Sequence, residues 1–95
     1  MSNKEKVIKF YEQVEKFVHD FTLMVISEKM PYCDISRIYI SVYKNVKVSV
    51  MILRPEWDQD DLQKIFEMVK QYGLKAKVKL NNNDVAIEVY AGEEE

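Results

Sequence analysis

Apolar and polar side chains alternate between residues 37 and 53. Ile38, Ile40 and Val42 fall on one face of a pleated strand, and Val46, Val48, Val50 and Ile52 on one face of the next. This follows because successive strand side chains point to opposite sides of the sheet. β-branched residues suit such a half-buried surface, so the stretch predicts a β-hairpin. Setting Val42 opposite Val46 keeps both faces coherent and leaves Tyr43, Lys44 and Asn45 as a loop that ends with Asn45 in the left-handed region. The facing pairs are then Tyr39 with Ser49, Ser41 with Lys47, and Arg37 with Met51. One face reads as core. The other carries Arg37, Tyr39, Ser41, Lys47, Ser49, Met51 and Leu53.

Helical spacing governs the segments on either side. Val7, Tyr11, Val14, Phe17, Val18, Phe21 and Val25 form an apolar stripe, widened by Phe10 and Met24, that predicts a helix from residue 3 to about 29. Ser2 caps it, and Glu5 completes a capping box. Such a helix is about 40 Å long and overhangs a sheet whose strands span about 30 Å. The apolar run Leu23-Met24-Val25-Ile26 lies on the overhang, as if another subunit covered it. A second helix, from Asp58 to Tyr72, has Asp58 as N-cap and Asp60 and Asp61 in its first turn. Trp57 and Leu62 form a hydrophobic staple, Leu62, Ile65, Phe66, Val69 and Tyr72 form the buried stripe, and Gly73 ends the helix. A second hairpin joins residues 75–80 to 85–90 through Asn82-Asn83. It pairs Leu80 with Val85 and Val78 with Ile87 on the core face, and Lys77 with Glu88 and Lys75 with Tyr90 on the other. Residues 91–95 read as a frayed acidic tail.

The predicted order is αββαββ. It implies an α+β fold: a four-stranded antiparallel sheet with two helices packed on one face, equivalent to a ferredoxin-like sheet with its first strand moved to the end. The strands beginning at Arg37 and Lys75 are its edges. Residues 1–95 form a single domain.

Composition changes this picture little. The chain is 47% hydrophobic and 32% charged, too apolar for disorder. A formal net charge of −2 gives no global attraction for nucleic acid. Cys33 is the single cysteine, which excludes an internal disulfide and a cysteine-rich zinc site and suits a reducing compartment. No apolar signal segment follows Met1, and no apolar run approaches a membrane span. These features predict a soluble cytoplasmic protein. Abundant Lys, Glu, Val and Ile with two glycines give a thermophile-like composition.

Candidate chemistry is sparse. His19 and Asp20 adjoin on a helix, where neighbours point about 100° apart, so they are not expected to form an acid–base dyad. Glu56, Asp58, Asp60 and Asp61 lack the glycine and terminal glutamate of a calcium loop and read as helix caps. Cys33 has no neighbouring histidine to activate it, and no glycine-rich phosphate loop is present. No catalytic residue, metal site, cofactor or nucleotide cofactor is expected, and no enzymatic activity.

The segments Ile38-Tyr39-Ile40-Ser41-Val42 and Val46-Lys47-Val48-Ser49-Val50, between a long helix and an acid-capped one, resemble small archaeal αββαββ domains of unknown function. The likeness spans residues 5 to 72 and implies no activity. A type II KH domain also opens αββα, but it needs a Gly-x-x-Gly loop between helices that this chain lacks. The function read from the sequence is a homo-oligomerising or protein-binding module with no membrane association. Its partner, a second copy or another protein, would meet the open sheet face at Tyr39, Met51, Leu53 and Tyr90. The alternative is single-stranded RNA binding through the same face, with Arg37, Lys47, Lys75 and Lys79 following phosphates.

Overall fold

The structure is a computed structural model that describes residues 1–92. It contains α1 (Asn3–Ile26), β1 (Asp34–Ile35), β2 (Tyr39–Ser41), β3 (Lys47–Arg54), α2 (Gln59–Gln71), β4 (Lys75–Asn81) and β5 (Asp84–Gly92). The fold is α+β, with two helices and an open antiparallel sheet of five strands. The order across the sheet is β1, β3, β5, β4, and β2 also pairs with β3. β1 and β2 therefore lie end to end along one edge, and β4 forms the other.

The fifth strand arises from a bulge. Ile35 faces Ile52, whereas Tyr39 faces Ser49, so one extra residue is accommodated between them. Ser36 N–H donates to Met51 O at 2.9 Å, and Met51 N–H donates to Ser36 Oγ at 2.8 Å. The serine side chain thus stands in for a carbonyl, and Arg37 becomes the bulged residue instead of facing Met51. The other expected pairs of this hairpin, Tyr39 with Ser49 and Ser41 with Lys47, are present. The ladder stops at Ser41–Lys47, leaving residues 42–46 as the loop. A loop of that length can be built around an ordinary turn, and Asn45 is not left-handed.

The second hairpin has the expected register throughout, from Lys75 opposite Tyr90 to Asn81 opposite Asp84, and Asn82 takes a φ of 55° at its turn. β5 continues further than expected. Ala91 pairs with Val48 and Gly92 with Lys47, so these residues are strand and not frayed tail. Glu93–Glu95 lie outside the described residues. At Gly92, with φ of 105°, a Cβ would sit 2.1 Å from the Val46 carbonyl oxygen, so this close approach of strands requires glycine.

Both helices pack on one face. Val14, Phe17 and Phe21 from α1 and Ile65, Met68 and Val69 from α2 meet Val48, Val50, Ile52, Ile87 and Val89. The Phe17 and Phe21 rings stack with centroids 5.7 Å apart. Met30, in the connector after α1, is also fully buried. The helix caps are as expected: Ser2 and Glu5 form the capping box, and Asp58 Oδ1 accepts Asp61 N–H at 2.8 Å. Both helices end in the same way, with the second residue past the cap donating back to the last turn: Lys29 to Met24 O and Leu74 to Val69 O, each 3.0 Å. α2 uses Gly73 at the left-handed position, with φ of 69°. α1 uses Glu28, with φ of 64°, and so stops at Ile26 and not near residue 29.

Coverage by the helices is incomplete. α1 lies against β3 and β5, and α2 reaches β4. Ile40 and Val42 near one edge, and Val78 and Leu80 on the other, carry the parity of the core face but are exposed. The core therefore rests on the two central strands. Phe66 is likewise exposed, with Met68 buried in its stead. Leu23 and Ile26 at the end of α1 are uncovered.

Two stability predictions follow from this packing. Phe17→Ala should lower unfolding stability by about 3–5 kcal/mol, read as a fall in the urea midpoint. Glu28→Gly should raise it by up to about 1 kcal/mol, because glycine relieves the left-handed strain but loses more chain entropy, read in the same titration.

Candidate functional site

Alternation along β3, β4 and β5 brings Lys47, Ser49, Met51, Leu53, Lys75, Lys77, Lys79, Ala86, Glu88 and Tyr90 to the sheet face opposite the helices. Ser36, Tyr39, Ser49, Met51, Leu53, Asn81 and Glu88 line a depression of about 540 Å³ there. The face is divided. Tyr39, Met51 and Leu53 make an apolar part along β2 and β3, and Lys75, Lys77 and Lys79 of β4, with Lys47 at the start of β3, make a basic part.

Glu88 anchors the basic half. It is 6% exposed, and one of its oxygens, Oε1, receives Lys47 at 3.2 Å, Lys79 at 3.4 Å and Lys77 at 3.8 Å. The expected pairing with Lys77 is therefore one of three. Such an arrangement satisfies a nearly buried carboxylate that would otherwise be costly. Lys47 also lies 4.9 Å from the centroid of Tyr90, and Lys75 Nζ donates to Gly92 O at 3.2 Å. Arg37 sits 5.5 Å from the Tyr39 centroid.

The sequence-predicted residues thus gather on one face but differ in access. Tyr39 is 48% exposed, Met51 and Leu53 are half-buried, and Tyr90 is only 9% exposed. Tyr90 is buried because Lys47 lies over it and strands flank it on both sides. The contributions of Ser36 and Asn81 were not legible as a pattern. Ser36 enters through the bulge, and Asn81 through its position at the far end of β4.

The acidic cluster at the start of α2 serves the fold. Asp61 is buried and accepts from Arg54 Nη1 at 3.0 Å. Arg54 in turn lies 4.9 Å from the Trp57 ring, whose Nε1 donates to Val85 O at 2.8 Å. Among the described residues, no group of three or more His, Cys, Asp or Glu is placed to hold a metal ion. The Cys33 thiol is buried, donates to Pro31 O at 3.2 Å, and is pushed above its ordinary pKa by burial. It stays protonated and is a poor nucleophile at neutral pH. Among the described residues, no helix is long and apolar enough to cross a membrane.

A groove of about 790 Å³ lies between the helices and includes Asp20, Met24, Met68 and Tyr72. Here the structure corrects the expectation for His19 and Asp20. His19 Nδ1 lies 3.1 Å from Asp20 Oδ1 at the helix surface. Tyr72 donates its hydroxyl to Asp20 Oδ2, tying α2 to α1. That bond, and then His19, hold the Asp20 carboxyl below its usual range, and the same bond pushes the Tyr72 hydroxyl up. Asp20 is consequently a weak base and Tyr72 a weak acid, the opposite of what acid–base chemistry at neutral pH needs. The contact is a structural tie.

Compared with known families, curated proteins and solved structures, the chain matches none.

The tie makes stability depend on pH at both extremes. Asp20, with a lowered folded value, contributes stability that is present above its ordinary pKa of 3.8 and is lost as pH falls through the folded value. Tyr72, with a raised value, contributes stability that is present below its ordinary pKa of 10.0 and is lost as pH rises through the folded value. The Tm difference between wild type and Tyr72→Phe should therefore be constant from about pH 5 to 9 and shrink outside that range. Thermal melts followed by circular dichroism across pH check this.

Proposed function

We propose that this chain is a non-enzymatic protein-binding module that meets its partner, a second copy or another protein, through the open sheet face. The observation that carries this reading is the divided depression: exposed Tyr39 stands beside half-buried Met51 and Leu53 on a face that neither helix covers. Apolar surface flanked by charged groups is the usual anatomy of an interface centre and rim. The exposed Leu23 and Ile26 at the end of α1 add a second uncovered apolar surface. In the same spirit, we read the strand order as a permuted ferredoxin-like sheet, akin in pattern to the small archaeal domains. A cytoplasmic setting agrees with the buried, reduced Cys33.

Single-stranded RNA binding is the second reading, favoured by the lysines gathered around Glu88 and by Arg37 beside Tyr39. It ranks lower because sheet-face RNA binders stack successive bases on exposed rings. Here Tyr39 is open but Tyr90 is buried.

Light scattering over a concentration series, with labelled single-stranded RNA titrated in parallel, tests the two. Self-association weakened about tenfold by Tyr39→Ala, or roughly 1.4 kcal/mol, with an unchanged thermal melt, supports the face as the interface. A monomer at every concentration removes the self-association form. Salt-dependent RNA binding lost in Lys75→Glu/Lys79→Glu would move the function to the second reading.

A further inference from the structure

β4 is the outermost strand on its side of the sheet, so one row of its backbone N–H and C=O groups points away from β5. Its side chains are sorted by face. Lys75, Lys77 and Lys79 project to one side, and Ala76, Val78 and Leu80 to the other. The apolar row faces the helix layer, yet Val78 is 53% and Leu80 85% exposed. α2, which reaches β4, adds exposed Phe66, which with Leu62 lines a shallow groove of about 530 Å³. An uncovered apolar row on an edge strand is the kind of feature that proteins usually avoid.

β5 shows what complements this strand. It sets Glu88 opposite Lys77, Ile87 opposite Val78 and Val89 opposite Ala76. We propose that the outer edge of β4 accepts an added strand from a protein partner in which acidic and apolar residues alternate. Its carboxylates would meet Lys75 and Lys79, and its apolar side chains would cover Val78 and Leu80. Backbone hydrogen bonds supply the attachment, and the alternating side chains supply the selection. A second copy of β4 does not fit. Antiparallel self-pairing sets lysine against lysine, and a one-residue slip sets lysine against the apolar row. The opposite edge is less suited, since the bulge at Arg37 interrupts it. A nucleic acid offers neither strand hydrogen bonding nor cover for Val78 and Leu80. This inference rests on the reading of the chain as a protein-binding module but places the contact at the edge, not in the depression.

The test is fluorescence anisotropy with the full chain and a fluorescein-labelled peptide in which glutamate and valine alternate. Two control peptides accompany it: one with lysine replacing glutamate, and one with alternate backbone nitrogens methylated. The acidic peptide should bind, and both controls should fail. Lys75→Glu/Lys79→Glu, checked for folding by circular dichroism, should weaken binding by about tenfold or more. Amide exchange should slow along β4 when the acidic peptide is bound. If the methylated peptide binds as well as its parent, strand addition is overturned. If binding survives the lysine reversal but is lost in Tyr39→Ala, the edge is overturned while the open-face reading stands. No binding of the acidic peptide, or tighter binding of labelled single-stranded RNA, also overturns the proposal.

Discussion

The pairing of β3 with β5 is the constraint on which the rest of the molecule depends. It runs unbroken from Lys47 opposite Gly92 to Arg54 opposite Val85. One side of this ribbon supplies Val48, Val50, Ile52, Ile87 and Val89, against which both helices pack. The other side supplies Ser49, Met51, Leu53 and Glu88 to the depression. The same backbone ladder therefore builds the core and the candidate binding face. It depends at one end on Gly92, whose missing side chain lets β5 pass close to Val46.

Because the core is centred on that ribbon, the edges are left to manage themselves. On one side, the bulge at Arg37 breaks the edge into two short strands held by Ser36, a common way to blunt an edge. On the other, the lysines of β4 discourage like-with-like pairing, but Val78 and Leu80 behind them stay exposed. Charge on the open face has the same double character. Lys47, Lys77 and Lys79 share the nearly buried Glu88, which consumes part of their charge in holding the sheet, while Tyr39 beside them stays exposed. The hydrogen bond between Tyr72 and Asp20 lowers the Asp20 carboxyl and raises the Tyr72 hydroxyl, and burial raises the Cys33 thiol.

Alternation, helical spacing and cap residues were enough to determine much of this protein from its sequence. Ser2 with Glu5, Asp58 and Gly73 marked helix ends, since caps are local interactions. The register of the second hairpin followed from parity across Asn82-Asn83, and that of the first held from Tyr39 to Ser41. The tertiary structure alone decided the bulge that displaces Arg37, because an extra residue in a ladder becomes visible only when both strands are placed. It alone decided that Ile40, Val42, Val78 and Leu80 stay exposed while Tyr90 and Glu88 are buried on the nominally open face. Alternation says which side of a strand a residue occupies. Whether that side is covered depends on where the helices sit and which long side chains fold over it, and these are set by contacts between residues far apart in the chain.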